Sequence, residues 1–267
     1  MARCKLHQID STTTLHTSIT GNPSSLPTLV FLHFWGGSSA TYAPLISHLT
    51  SYHTISIDFR GLGLSTGPDD QSAYSIKHLA LDIEDLLSKL ALRDILLVGH
   101  SMGGKVAQLI AGRNNTPNLK GLILIAPAPP TPLVLPDDLR EQSYTAYETR
   151  ESCEFVIRNV LTSSTLTDEA TEALVRDMLR GNRHARRAWP EYGMAEDIRE
   201  EVKGMRCPVL VAAGENDVVE TRERLEREVV GCYEGGEMVV VEGVGHLMVV
   251  EAPAEVARVV EEFVAGI

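Results

Sequence analysis

Short, continuous runs of Val, Ile and Leu recur along the chain, separated by segments with helical periodicity. Continuous apolar runs of this kind are typical of strands buried on both faces of a sheet. Two weaker segments, near residues 4–9 and 14–20, predict an antiparallel hairpin. The main predicted strands are TLVFLH (28–33), TISIDF (54–59), DILLVG (94–99), GLILIA (121–126), PVLVAAG (208–214) and EMVVVEG (237–243).

Apolar positions spaced three and four residues apart predict the helices between these strands. The clearest stripe runs from Ile76 to Leu90, with Ser75 placed to cap its start. A similar stripe begins near Pro253 and ends the chain. Strands that alternate with helices predict an α/β fold, with a mostly parallel central sheet covered by helices on both faces. Functional residues should then lie just after the carboxyl ends of the strands.

One connection, between Ala126 and Cys207, is too long for a loop, at roughly 80 residues. It opens with the proline-rich stretch APAPPTPLVLP and continues with helical patterns. We interpret it as a helical cap inserted over the edge of the sheet. The predicted helices lie near 137–148, 150–161, 168–180 and 183–192. The predicted domains are a first core segment (1–128), the cap (129–205) and a second core segment (206–267).

The overall composition narrows the classes of ligand. The chain has 267 residues, and its 43% of hydrophobic residues can fill a sizeable core. Its formal net charge of -12 would repel nucleic acid and anionic lipid at long range. We therefore expect a small, hydrophobic substrate, and neither a nucleic-acid nor a membrane partner.

The cysteines and the start of the chain favour a reduced, soluble protein. No apolar run is long enough for a membrane span, and the start lacks the apolar segment of a secretory signal. The four cysteines show no CxxC spacing, so the sequence predicts neither a metal site nor a disulfide framework. These features favour a cytoplasmic location. The sequence is compatible with a monomer or a homodimer.

The stretch GHSMGGKV (99–106) fits two motifs with different chemistry. As a phosphate-binding loop it would need Ser or Thr at its last position to hold a magnesium ion, and this chain has Val106. Asp58 could serve as a second metal ligand, but nothing else supports a nucleotide site. GLGLST (61–66) begins like a dinucleotide motif and lacks its third glycine. The alternative is a G-x-S-x-G nucleophile elbow.

If the motif is a nucleophile elbow, the type of residue at each of its key positions has a physical explanation. A tight turn from strand to helix holds Ser101 in strained backbone angles and lifts its hydroxyl clear of the sheet. Such a turn needs small residues at Gly99, Gly103 and Gly104, where strand and helix nearly touch. The helix then directs its positive end and the amide of Met102 toward the site.

A serine nucleophile needs a base, and the base needs an acid that orients it. His246 lies in a loop between the last strand and the final helix. Asp217 lies in the loop after a buried strand, with Glu215 and Glu220 as the nearest rival acids. The order Ser101, Asp217, His246 is the order expected for a nucleophile elbow. A structural loop histidine and an ordinary turn residue are the alternatives.

The stretch LHFWGGS follows a buried strand and supplies a candidate oxyanion loop. The amide of Trp35 could join that of Met102 in facing a carbonyl oxygen. His33 is interpreted as an anchor of this loop and not as a second base. The alternative is a flexible glycine turn in which Trp35 only covers the core.

Taken together, these segments resemble the α/β-hydrolase superfamily of serine hydrolases across nearly the whole chain. The resemblance implies a central sheet with a helical cap, no cofactor, and activity on esters, lactones or related bonds. A Ser at the elbow argues against the dehalogenase and epoxide-hydrolase branches, which use Asp there. The matching segments are LHFWGGS, DFRGLGLS (58–65), VGHSMGG, GEND and VGHLMVVEAP.

The resemblance implies specific roles for five positions. Ser101 is the nucleophile, and His246 is the base. Asp217 orients that base, and the amides of Trp35 and Met102 form the oxyanion hole. The sequence departs from many relatives just before Trp35, where they carry a glycine and this chain carries a phenylalanine.

That phenylalanine, Phe34, could narrow a substrate pocket. Trp189, Tyr192 and Met194 lie close together near the end of the predicted cap. We expect them to line the pocket with Phe34, and the alternative is that they form a small core of the cap itself.

These residues predict a serine hydrolase that cleaves a small hydrophobic carboxylic ester or lactone through an acyl-enzyme on Ser101. Two alternatives use the same scaffold. One is a carbon–carbon bond hydrolase or a non-hydrolytic lyase or cyclase. The other is a small-molecule receptor that turns its ligand over slowly.

Overall fold

The described residues, 2–25 and 27–267 of a computed structural model, form one sheet of eight strands. Met1 and Leu26, in the predicted first core segment, lie outside the described residues. The strands are β1 (Arg3–Gln8), β2 (Thr14–Thr20), β3 (Thr28–Leu32), β4 (His53–Ile57), β5 (Ile95–His100), β6 (Leu119–Ile125), β7 (Val209–Gly214) and β8 (Glu237–Val241). Their order is β1-β2-β4-β3-β5-β6-β7-β8. β2 is antiparallel to β1 and β4, and the other neighbouring strands are parallel.

Helices of very different length connect the strands. The α-helices are α1 (Ala43–Ile46), α2 (Ile76–Leu90), α3 (Met102–Arg113), α4 (Asp137–Tyr144), α5 (Arg150–Val156), α6 (Asp168–Arg180), α7 (Arg183–Glu191), α8 (Arg199–Val202), α9 (Arg222–Glu228), α10 (Met248–Glu251) and α11 (Pro253–Ala265). A π-helical turn, Ile157–Leu161, continues α5. Single 3-10 turns are Ser39–Tyr42, Gln71–Tyr74, Gly193–Ala195 and Val230–Cys232.

The predicted α/β fold class is confirmed, and so are all six main strands and the N-terminal hairpin. Ser75 caps α2 as predicted, because its hydroxyl accepts the amide N–H of His78. β4 ends two residues before its predicted end. The carboxylate of Asp58 accepts the amide N–H of Leu64 at 2.8 Å, and the chain turns away from the sheet there.

Alternate residues along each central strand belong to two separate hydrophobic clusters, one on each face of the sheet. In β3, Val30 and Leu32 belong to the cluster under α2 and α3. Leu29 and Phe31 belong to the cluster under α1 and α11. A strand with both faces covered cannot show polar alternation, which explains the continuous apolar runs of the sequence.

The long insert between β6 and β7 folds as α4 to α8. Helices α4 to α7 lie within the four predicted ranges, and the short helix α8 is one that the sequence analysis does not predict. Part of it forms a third cluster with the core residues Phe34 and Leu247. Its members from the insert are Ala146, Tyr147, Cys153, Ile157, Leu161, Leu174, Val175 and Met178. The later part, including Trp189 and Ile198, packs into the main core beside the sheet. The limits of the cap, 129 and 205, stay a prediction.

A buried polar contact ties the insert to the loop after β3. The Ser38 hydroxyl donates a hydrogen bond to the Asp177 carboxylate of α6 at 2.5 Å. Both side chains are buried. Burial raises the pKa of Asp177, and the bond from Ser38 only partly offsets that effect. The insert is therefore attached to the core close to the candidate oxyanion loop. In the described part of the chain, no helix is both long and apolar enough to cross a bilayer.

Candidate active site

Ser101 lies at the junction of β5 and α3, in a backbone conformation that side chains rarely adopt. Its φ is 53° and its ψ is -117°. This region is nearly restricted to glycine, and a serine there costs on the order of 1–3 kcal/mol. The surrounding structure must hold the residue in place. The residue is buried, with 7% of its surface exposed.

The glycines of the motif allow the strand and the helix to touch. A Cβ atom at Gly99 would lie 2.6 Å from the carbonyl oxygen of Gly103, and one at Gly103 would overlap the carbonyl oxygen of Leu32. Val106, where a phosphate-binding loop needs a hydroxyl, is fully buried in the main core. The local packing therefore favours the nucleophile elbow over the nucleotide loop.

His246 and Asp217 meet beyond the carboxyl ends of β7 and β8. The Nδ1 atom of His246 lies 2.8 Å from Oδ2 of Asp217. The other carboxylate oxygen accepts the amide N–H groups of Val219, at 2.8 Å, and Glu220, at 3.0 Å. Burial would raise the pKa of Asp217, but the imidazole and these hydrogen bonds outweigh it and the pKa is lowered. The carboxylate is thus held ionised against the ring.

The rival acids are engaged elsewhere. Glu215 accepts the amide N–H of Gly243 at 2.8 Å. Glu220 lies 2.8 Å from the guanidinium of Arg224. Burial raises the pKa of Glu220 to about 8, in spite of that partner. Of the three acids considered from the sequence, Asp217 is the one that contacts His246.

His100, which the sequence reasoning missed, joins the elbow to the histidine loop. Its Nε2 lies 2.8 Å from the carbonyl oxygen of His246, and the two rings are 5.2 Å apart. Burial, followed by the neighbouring His246, lowers the pKa of His100 to about 3. The ring is therefore neutral and donates to that carbonyl. This bond holds His246 beside the residue that precedes Ser101.

The predicted oxyanion donors lie at the start of α3 and in the loop after β3. Met102 is the first residue of α3, and amide groups of the first turn have no partner within a helix. Trp35 lies in the loop after β3. Its neighbour His33 anchors this loop, since its Nδ1 donates to the Phe34 carbonyl at 2.7 Å and its Nε2 accepts from Phe59 at 3.1 Å.

The side chain of Phe34 fills the space between the insert and the elbow strand. It is 1% exposed and belongs to the third hydrophobic cluster. Its ring lies 5.4 Å from that of His100. A glycine at this position would leave a void beneath the insert, so the phenylalanine contributes to packing between the insert and the core.

Comparisons with known proteins agree with this fold. A family model described as "Alpha/beta hydrolase family" matches residues 29–259. The chain is an α/β hydrolase. A curated relative is the non-heme chloroperoxidase CPO-A1 of Kitasatospora aureofaciens, which is 27% identical over 242 residues, or 82% of this chain and 84% of the relative.

Solved structures of other proteins have the same fold as this α/β hydrolase. An esterase from Exiguobacterium antarcticum superposes with a TM-score of 0.85 at 21% identity, covering 95% of this chain and 96% of the other. The enol-lactonase of Burkholderia xenovorans LB400 gives a TM-score of 0.80 at 20% identity, covering 95% and 97%. At this level of sequence identity, the similarity shows a shared fold and does not show a shared activity.

The predicted pocket residues of this α/β hydrolase pack beside the main core. Trp189 is 7% exposed and is a member of that core, and Tyr192 and Met194 are partly buried against it. The Tyr192 hydroxyl donates to the carbonyl of Gln71 at 2.7 Å. The carbonyl of Met194 accepts a hydrogen bond from Lys105 at 3.2 Å. A role of these side chains in substrate binding stays a prediction.

Within residues 2–25 and 27–267, no three His, Cys, Asp or Glu side chains are grouped so as to hold a metal ion. The candidate site of the α/β hydrolase contains the hydroxyl of Ser101 and the His246–Asp217 pair.

Activity should fall at acidic pH, with a midpoint above 6.5, the ordinary pKa of a histidine side chain. Burial lowers the pKa of His246, but the Asp217 carboxylate and its hydrogen bond outweigh burial, and the pKa is raised. Only the neutral ring can accept a proton, so activity is present above this pKa and lost below it. The pH profile of kcat/KM measures the midpoint, and a rate that stays flat from about pH 8 to pH 5 would contradict this role.

Proposed function

We propose that this α/β hydrolase cleaves a small carboxylic ester or lactone through an acyl-enzyme on Ser101. The observation that carries the proposal is the buried His246–Asp217 pair, 2.8 Å apart, held beside the strained elbow by His100. An imidazole fixed by an ionised carboxylate is the base that a serine hydroxyl requires. The fold of solved esterases and of an enol-lactonase supports the same reaction class.

In the proposed reaction, the Nε2 atom of His246 takes the proton of the Ser101 hydroxyl while the oxygen attacks the substrate carbonyl. The amides of Met102 and Trp35 stabilise the negative oxygen that forms. His246 then donates its proton to the leaving alcohol. Water, deprotonated by the same ring, releases the acid from Ser101. Asp217 holds the ring in the correct tautomer and stabilises the imidazolium.

The proposed substrate has a compact apolar segment next to the reacting carbonyl. The ring of Phe34 lies 5.4 Å from that of His100, the residue before Ser101, and Trp35 follows Phe34 in the loop after β3. Trp189, Tyr192 and Met194 are the proposed contacts from the insert. We propose that these side chains form a largely apolar, enclosed site, which would exclude water and suit short acyl groups better than long ones.

A panel of methyl and aryl esters with increasing acyl length, together with lactones, tests this proposal. We expect short and medium acyl chains to be cleaved with kcat/KM values at least about tenfold above those of long chains. Product analysis separates ester hydrolysis from carbon–carbon cleavage and from a lyase or cyclase reaction. Best activity on emulsified long-chain lipids would contradict the pocket. Turnover too slow for an enzyme would favour the receptor alternative.

A further inference from the structure

A cavity of about 390 Å³ lies at the edge of the insert, between α4, α7 and the loop after β3. Its size is at the lower end of the range for small-molecule sites. Aromatic and cationic side chains dominate its lining. They are Trp35, Tyr144, Tyr147, Arg183, Arg186 and Arg187.

Two of the three arginines already have acidic partners. Arg183 pairs with Asp69 at 3.2 Å. Arg187 pairs with Glu191 at 3.1 Å and lies over the ring of Tyr144, with its guanidinium carbon 4.4 Å from the centroid. In both pairs the carboxylate balances the positive charge of the arginine.

Arg186 differs from both. It is half-buried, and its Nη1 donates to the carbonyl oxygen of Tyr147 at 2.5 Å. Among residues 2–25 and 27–267 it forms no ion pair. Glu148, the acidic residue of the lining, is exposed. A half-buried arginine that has no carboxylate partner, in a chain of net charge -12, leaves a positive charge available for an anionic ligand.

Arg186 is also connected directly to the candidate oxyanion loop. The indole N–H of Trp35 donates to the carbonyl of Arg186 at 2.8 Å. The hydroxyl of Tyr147 donates to the carbonyl of Trp35 at 3.1 Å. With the bond from Arg186 to Tyr147, the three residues form a closed ring of hydrogen bonds. The guanidinium and the carbonyl of Arg186 therefore both belong to a hydrogen-bond network that includes Trp35, whose amide is a proposed oxyanion donor.

We propose that Arg186 binds a free carboxylate carried by the substrate, at the end remote from the reacting carbonyl. The proposal rests on the proposed function and narrows its substrate class to esters or lactones with a second, anionic end. The planar guanidinium suits a carboxylate, because the two can form parallel hydrogen bonds. One unpaired cation matches a single negative charge. The aromatic walls of the cavity then contact the apolar chain between the two ends of the substrate.

Matched pairs of substrates test this site. Each monomethyl ester of the straight-chain dicarboxylic acids from succinate to suberate is compared with the neutral methyl ester of the same acyl length. We expect the half-ester to be preferred in kcat/KM at one or more lengths. Arg186→Gln should lower that preference about 10- to 100-fold, as expected for loss of a charged hydrogen bond. Arg158→Gln, on an exposed residue outside the cavity, is the control and should leave the preference unchanged.

A binding measurement tests the carboxylate site independently of catalysis. Calorimetry with the free dicarboxylates on the Ser101→Ala protein should show binding that Arg186→Gln weakens about 10-fold or more. If no ester is cleaved, the proposed function fails, and this binding result still decides the carboxylate site. If Arg186→Gln does not fold, Arg186→Lys takes its place and should lose part of the preference. Equal rates for both members of every pair, or binding indifferent to Arg186, would overturn the proposal.

Discussion

Replacement of Ser101 by alanine is expected to lower kcat/KM toward esters by about 10⁴- to 10⁶-fold. The nucleophile, the base and the acid act together, so the loss of the nucleophile alone removes most of the catalysis. The change removes the attacking oxygen and little buried volume. The alanine must still adopt the strained backbone of the elbow, with φ near 53°, so the fold and its strain are retained. Steady-state kinetics give the loss, and thermal unfolding shows that the protein remains folded.

A serine outside the site provides the matched control for this variant. Ser88 lies on the exposed side of α2, and Ser88→Ala should keep full activity. Ester hydrolysis that persists in the Ser101→Ala protein at more than about one per cent would place the nucleophile elsewhere. If the Ser101→Ala protein unfolds, covalent labelling of the unmodified protein decides the role of the hydroxyl.

Replacement of Asp217 by asparagine is expected to reduce kcat by about 10³- to 10⁴-fold. The carboxylate both selects the tautomer of His246 and stabilises its charged form, from 2.8 Å away. An asparagine amide can occupy the same space but carries no charge and can present an N–H to the ring. The pH midpoint of the residual activity should also move down, because the carboxylate raises the pKa of His246.

Glu215→Gln is the matched control on the same loop. Its carboxylate accepts the amide of Gly243 and does not contact the imidazole, so activity should fall less than about tenfold. Kinetics of the two variants, measured side by side from about pH 5 to pH 9, give the ranking. A larger loss for Glu215→Gln than for Asp217→Asn would reassign the acid.

The central sheet and the proposed catalytic residues could be predicted because their signals are local. A buried parallel strand is a continuous apolar run, and the residues that follow each strand lie at one edge of the sheet. Ser101, Asp217 and His246 each follow a strand or occupy the loop just beyond one. Their order along the chain therefore predicts that they lie close together, which the structure shows directly for Asp217 and His246.

Contacts between residues that are far apart in the sequence leave no local pattern from which they could be predicted. His100 and His246 are joined by a bond that depends on how β5 lies relative to the histidine loop. The ring of Trp35, Arg186 and Tyr147 depends on how the insert packs against the core. Trp189 illustrates the same limit, because nothing local distinguishes an aromatic residue that lines a pocket from one buried in the main core.

The most direct test of a serine nucleophile is covalent labelling with a fluorophosphonate probe, followed by peptide mapping. An activated serine attacks the phosphorus centre, whereas ordinary serine hydroxyls do not. We expect a single label, on Ser101, that is absent from the Ser101→Ala protein and forms more slowly in Asp217→Asn. A label on any other residue, or an unlabelled protein that still cleaves esters, would contradict it.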